Sequence, residues 1–205
     1  MTERAWRRRV AAVAGHEGEV DSARRLLSDA DASVRGVALG ALLRAVALRR
    51  TDLEAAAGDT DPTVRRRAAE VTAAAPAAAR ISVLGLLDDP DPRVVETAAW
   101  ASGEIDPPEP EVVATLSRLA EGHEDALVRE AAVAALGAIG DEAGLPAILA
   151  ATRDKPTVRR RAVIALAPFD GPAVDEALER ARTDRDWQVR QAAEDLLGSR
   201  RVSGG

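Results

Sequence analysis

The chain has no cysteine and no tyrosine, and only one phenylalanine, one methionine, three tryptophans and two histidines among its 205 residues. Each shortage excludes something. Without cysteine there are no disulfides and no thiolate metal sites, a composition compatible with the reducing cytoplasm we expect for it. Aromatics make up 2% of the chain, too few for one thick globular core, which would draw much of its volume from Phe, Tyr and Met. No apolar run approaches the roughly 18 residues needed to span a bilayer, so no membrane role is expected. Arg7-Arg8-Arg9 and Val10–Ala14 follow the order of a signal peptide. The apolar part is shorter than the roughly 7–15 residues such a segment uses, and His16-Glu17-Gly18-Glu19 interrupts it; a soluble helix is expected instead.

What is abundant is alanine, with 45 copies, in a chain that is 46% apolar and 30% charged. That mixture excludes an intrinsically disordered chain, and small side chains suit thin layers of closely approaching helices. The 28 basic and 34 acidic residues give a net charge of −6. Residues 1–100 carry 15 of each sign, and residues 101–205 carry 13 basic against 19 acidic, so the whole excess lies in the second half. A net acidic chain argues against sequence-independent nucleic-acid binding, which depends on neutralising phosphates.

Self-similarity organises the rest. Asp29-Ala-Asp31-Ala-Ser-Val34-Arg35, Asp59-Thr-Asp61-Pro62-Thr-Val64-Arg65 and Asp89-Pro-Asp91-Pro92-Arg-Val94 are one pattern, which returns around Val128, Val158 and Val189 at spacings of 30, 30, 34, 30 and 31. Trp6-Arg7 is a further copy lacking its leading half. The Asp three residues before Val (Asp31, Asp61, Asp91, Asp125, Asp186) is predicted to cap a helix N-terminus, and Pro62, Pro92 and Pro156 stand near first helical positions, where a missing N–H costs nothing. Apolar residues then recur at offsets 0, 4, 7 and 8 from Val, one face of a helix. Shorter amphipathic stretches lie between, at Val20–Ser28, Ala77–Leu87, Glu111–Ala120, Leu145–Thr152 and Ala173–Arg182. Each repeat is thus a helical hairpin that buries its apolar faces only by stacking. The predicted fold is all-α, a right-handed α-solenoid of about six and a half repeats over residues 1–198. Residues 2–15 form a half-repeat cap, second helices start near 31, 61, 91, 125, 155 and 186, and 199–205 form a disordered tail.

These strings resemble the HEAT repeat, in particular the short bacterial type called the phycobilisome-lyase HEAT-like repeat. Its hallmark, an Asp-Pro-x-Val-Arg-x-x-Ala-Ala-x-Ala-Leu-Gly string, stands nearly complete in Val128-Arg129-Glu-Ala131-Ala132-Val-Ala-Ala135-Leu136-Gly137-Ala-Ile139-Gly140. The resemblance implies that the Arg after Val (Arg35, Arg65, Arg129, Arg159, Arg190) pairs with an Asp of an adjacent turn as a structural ladder. It also raises a bilin lyase-like or enzyme-companion role, as an alternative to which no residue here can be matched. Two further HEAT-like families are compared. Deoxyhypusine hydroxylase binds iron through His-Glu pairs inside helices, whereas His16-Glu17 and His123-Glu124 are expected in turns and are too few. Alkylpurine glycosylases use a strongly basic, aromatic-bearing face, which a net acidic chain does not promise; nucleic-acid binding is therefore the last alternative.

No nucleophile–base pair, metal-ligand spacing or phosphate-binding glycine loop occurs, so no catalytic residue, metal or cofactor is assigned. The departures from the repeat cluster at one junction. Val95 replaces the ladder Arg, and Glu104–Glu111, with three prolines, adds an insertion expected to be stiff and extended. Offsets 2 and 6 point away from the core and are expected to line the inner surface of the second helices. On that surface Trp100, Glu96, Glu130, Arg66, Arg160 and Ile164 are the candidate contacts for another protein, with Trp6 and Trp187 assigned to packing at the two ends. The expected function is a non-catalytic, monomeric interaction scaffold.

Overall fold

The computed structural model describes residues 2–17 and 19–203, which are helical and connecting segments without strands. The chain divides into two compact units, residues 1–101 and 102–205, each a stack of helical hairpins of the α-solenoid class.

In the first unit the inner-layer helices are α1 (Glu3–Glu17), α3 (Ala32–Arg44) and α5 (Pro62–Ala74), with α1 against α3 and α3 against α5. Alternating with them are α2 (Val20–Arg25), α4 (Arg50–Ala57) and the four-residue α6 (Leu84–Leu87); α7 (Pro92–Gly103) is the next helix of the repeat-valine series, and its last two residues belong to the second unit. In the second unit α9 (Ala126–Ile139), α11 (Pro156–Ala165) and α13 (Trp187–Ser203) pack in succession, and α8 (Val112–Gly122), α10 (Leu145–Ala151) and α12 (Pro172–Ala181) form the opposite layer.

The alanine content has its physical reason here. At offset 4 from the repeat valine, Ala38, Ala68, Ala98, Ala132, Ala162 and Ala193 are all fully buried, as are Val34, Val94, Val128 and Val158. A small side chain at that position lets the helices approach; the large volume comes from Leu39, Leu42, Leu53, Leu116, Leu136, Ile148 and Phe169. The closest approach is at Gly137, where a Cβ would lie 2.7 Å from the Ala165 Cα. The glycine of the repeat signature is thus the point where α9 meets the backbone of α11.

Four expectations are corrected. Ala77–Leu87 is not one helix: a single 3-10 turn at Ala77–Ala79 is followed by an extended stretch before α6. The buried residues Ala79, Ile81 and Val83 alternate, the period of extended backbone, and Arg80 Nε donates to the Ala75 carbonyl. The tail does not begin at Ser199: α13 continues to Ser203. Arg200 holds it there by donating to the Leu166 and Phe169 carbonyls, with Asp175 at 3.4 Å; residues 204–205 of the expected tail lie outside the described residues. His16-Glu17 ends α1 rather than standing in a turn. The insertion bends at Asp106-Pro107 and turns again at Pro110-Glu111 instead of running straight.

Candidate functional site

The turns between hairpins repeat one ionic arrangement. Most of these turns carry two aspartates with different tasks; the turn at Asp154 keeps only the first and the turn at Asp125 only the second. The second caps its own helix: Asp31, Asp61, Asp91, Asp125 and Asp186 accept from the backbone N–H of Ser33, Thr63, Arg93, Leu127 and Gln188. The first receives the arginine of the preceding repeat through two parallel bonds. Arg35 Nε and Nη2 donate to Asp59, both at 2.7 Å; Arg65 donates to Asp89 at 2.7 and 2.9 Å. In the second unit Arg129 donates to Asp154 at 2.6 and 2.9 Å, and Arg159 to Asp184 at 2.8 and 2.7 Å. The remaining nitrogen, Nη1, reaches back to a carbonyl of its own turn: Asp29, Asp59, His123 or Asp154. Each guanidinium therefore joins two successive turns, with a planar fork that suits a carboxylate.

The charges respond accordingly. Guanidinium hydrogen bonds hold Asp89, Asp154 and Asp184 below the ordinary carboxylate range, against the opposing effect of burial. For Asp59 burial is the largest single influence and pushes upward, yet the bond from Arg35, the Asp61 N–H and the nearby charges leave it lowered too. The four arginines are raised, first by their aspartate bonds. Arg190 ends the series. Its Nη1 bonds the Asp184 and Arg185 carbonyls, and among the described residues no carboxylate pairs with it.

The acceptor aspartates Asp59, Asp89, Asp154 and Asp184 were not singled out from sequence, although their register gives them away. The register also shows that the ladder loses both partners together: where the third full repeat has Val95 for Arg, the next turn has His123 for Asp. Val95 is buried, and His123 Nδ1 accepts from the Asp125 N–H at 3.1 Å, the local half of the aspartate's task.

Offsets 2 and 6, the positions read as pointing away from the core, line an open groove in each unit. In the first unit the groove, of about 740 Å³, is lined by Arg8 and Ala12 of α1, Gly36 and Arg44 of α3, and Arg66, Arg67 and Glu70 of α5. In the second unit a groove of about 510 Å³ is lined by Arg160, Ile164 and Ala167 of α11 and Trp187, Gln191, Asp195 and Leu196 of α13. Here Trp187 is 64% exposed and Ile164 41%. The assignment of Trp187 to end packing is therefore corrected: at the first helical position of α13 its ring stands on the groove wall. Trp6 is 53% exposed as well, so it does not pack away at the N-terminal end either.

The six candidate contacts fall into different places. Arg66 belongs to the first groove, and Arg160 and Ile164 to the second. Glu130 is half-buried on α9, with Arg161 Nη2 at 3.5 Å. Trp100 is 47% exposed on α7, and neither it nor Glu96 lines either groove. The sequence signal that would have found Trp187 is its neighbourhood: Ile164 at offset 6 of the preceding repeat is an exposed apolar residue with no polar reason to be there. Among the described residues no cluster of three or more His, Asp or Glu side chains is placed to hold a metal, and no helix is long and apolar enough to cross a membrane.

The sequence profile of HEAT repeats matches residues 50–121, 83–167 and 120–198. No curated protein matches the chain. Among solved structures, YibA of Escherichia coli is similar at 20% identity and a TM-score of 0.65, over 88% of this chain and 70% of that one. A designed armadillo repeat protein in complex with the peptide (KR)4 is similar at 19% identity and a TM-score of 0.64, over 88% and 98%. An engineered protein is similar at 23% identity and a TM-score of 0.57, over 88% and 57%.

Proposed function

Because the chain belongs to the family of HEAT repeats, we propose that it is a non-catalytic scaffold that binds another protein on the offset-2 and offset-6 face of its second helices. The observation that carries this reading is the open groove of the second unit, where Trp187 and Ile164 expose apolar surface beside Arg160 and Asp195. Tryptophan and arginine are the residues most enriched where binding energy concentrates, and a pocket of apolar walls with a few polar groups is the usual form of such a site. The arginines and aspartates of the turns are meanwhile engaged with one another, which leaves the faces rather than the turns to meet a partner. A designed armadillo repeat protein of similar fold is in complex with a peptide, which supports a peptide segment as the form in which the partner is held.

Selection of binders from a displayed peptide library tests the reading. Peptides anchored in this groove lose about thirtyfold or more in affinity on Trp187→Ala, while the melting temperature stays within about 2 °C because the ring is mostly in solvent. Trp100→Ala, outside both grooves, leaves those peptides bound. If no peptide is selected, or every selected peptide tolerates Trp187→Ala, the proposal fails.

A further inference from the structure

The groove of the first unit has a different chemistry from the one that carries the proposed function. It is arginine-rich and lacks aromatic walls. Its floor is glycine: α3 has Gly36 and Gly40 at offsets 2 and 6, where other repeats carry side chains. Two guanidiniums converge over that floor. A Cβ on Gly40 would lie 2.4 Å from Arg67 Nη2 and 3.4 Å from Arg44 Nη1. Two like charges are thus aimed at one point from different helices, with one carboxylate, Glu70, at 2.7 Å from Arg67 Nη1. Arg66 and Arg8 add exposed positive charge to the rim. The other acids on the rim, Asp31 and Asp61, are helix caps with an oxygen bonded to backbone N–H. Among the described residues neither Arg44 nor Arg66 makes an ion pair.

Resting on the scaffold reading, the geometry points to an acidic peptide segment of the partner as the occupant of this groove, its carboxylates seated between Arg44 and Arg67 and against Arg66. Converging guanidiniums in a concave, partly desolvated site focus a positive potential, and each fork matches a carboxylate. Gly36, which lines the groove without a side chain, gives an extended backbone the depth to lie close to α3. A nucleic acid fits less well: Asp31, Asp61 and Glu70 interrupt the basic surface, and no aromatic ring lines the groove to stack a base.

Fluorescence anisotropy with a labelled glutamate–alanine repeat peptide tests the inference, with a lysine–alanine repeat peptide and a single-stranded oligonucleotide as competitors. The acidic peptide binds the whole chain, more weakly as salt rises. Arg44→Glu and Gly36→Glu each reduce that affinity by about tenfold or more, since like charges across an interface repel. Gly36→Glu is the safeguard against a folding artefact: a Cβ there meets Arg67 Cγ at 3.7 Å and Arg67 Cβ at 3.9 Å, ordinary contacts. Arg153→Glu, at an exposed arginine of the second unit that lines neither groove, leaves the affinity unchanged. The inference is overturned by no binding of the acidic peptide, by the oligonucleotide or the basic peptide competing as well as the acidic one, or by Arg153→Glu weakening it as much as Arg44→Glu. Trp187→Ala is read on library-selected peptides and not on this probe, so the two readings stand or fall separately.

Discussion

At offsets 2 and 6 the second helices of the N-terminal unit read Arg8/Ala12, Gly36/Gly40, Arg66/Glu70 and Glu96/Trp100, whereas those of the C-terminal unit read Glu130/Ala134, Arg160/Ile164 and Gln191/Asp195. The ladder positions, by contrast, hold the same pairs in both: Arg35–Asp59 and Arg65–Asp89 in one, Arg129–Asp154 and Arg159–Asp184 in the other. The difference separates what stacking demands from what it leaves open. A turn that must present one carboxylate to its neighbour and one to its own helix has little freedom of side chain. A face that looks into solvent has a great deal, and here its groove is rich in arginine in one unit and walled by the exposed Trp187 and Ile164 in the other.

The largest expected effects break the sameness of the ladder. Arg159 is 7% exposed and Asp184 15%, so Arg159→Ala strands a largely buried carboxylate and is expected to cost about 3 kcal/mol in urea unfolding. Arg190 stands in the same slot but makes only backbone bonds, and Arg190→Ala is expected to cost about 1 kcal/mol. Equal losses at the two positions would mean that the bonds to the turn carbonyls, and not the carboxylates, hold the repeats together. The pH dependence follows from the same pairs. Asp89, Asp154 and Asp184 are lowered by their arginines, so the folded state binds its protons more weakly than the unfolded chain. The stability they contribute is full above the ordinary carboxylate range near pH 4 and is lost as pH falls through their lowered values. Melting temperatures measured from pH 7 to pH 2 should therefore fall at the acid end, and Asp184→Asn should flatten part of that fall.

The next test sets one substitution against itself in the two units. Gly137→Ala drives a methyl group to 2.7 Å from the Ala165 Cα, a clash with backbone that cannot rotate away, and is expected to destabilise by about 2 kcal/mol. Gly36→Ala meets the Arg67 side chain at no less than 3.7 Å, and replacing an interior helical glycine there should stabilise by up to about 1 kcal/mol. Thermal unfolding of both variants decides the matter, and a loss at Gly36 would show that the N-terminal groove is closed rather than open.

Why some of this was readable from sequence and some was not has a physical basis. The repeat valines, the offset-4 alanines and the capping aspartates recur because every hairpin faces the same packing problem, and recurrence makes them visible. The two-aspartate division of labour was hidden for a different reason: Asp29 and Asp31 are the same residue type two positions apart, and only the direction of the neighbouring arginine tells them apart. The irregular Ala77–Leu87 stretch was misread because its alanines suit a helix while its buried residues alternate. The groove of the second unit was missed because Trp187 occupies the usual proline slot at a helix start, where local packing is the ordinary use of a large ring. The solvent-facing positions have no period at all. Stacking places no demand on them, so nothing in the packing makes them recur.

The smallest expected effect compares how two equivalent helices end. Twelve residues after the repeat valine, α9 closes on Gly140 at φ 69° and α3 closes on Val46 at φ 54°. At α3 the Val46 N–H bonds the Leu43 carbonyl at 3.0 Å and the Ala47 N–H bonds the Leu42 carbonyl at 2.9 Å, the paired bonds of a Schellman ending. The ending is thus built in the N-terminal unit with a β-branched residue in the left-handed position that normally takes glycine. Val46 is 84% exposed, so its side chain returns almost nothing through burial, while the left-handed conformation costs a branched residue roughly 1–2 kcal/mol. Glycine there loses more backbone freedom on folding, which offsets part of the gain. Val46→Gly is therefore expected to raise stability by about 1 kcal/mol, with Gly140→Val lowering it by a similar amount, in urea melts at one pH. If Val46→Gly instead destabilises the chain, the isopropyl group is making contacts that its exposure does not reveal, and the N-terminal unit ends its helices by a different rule.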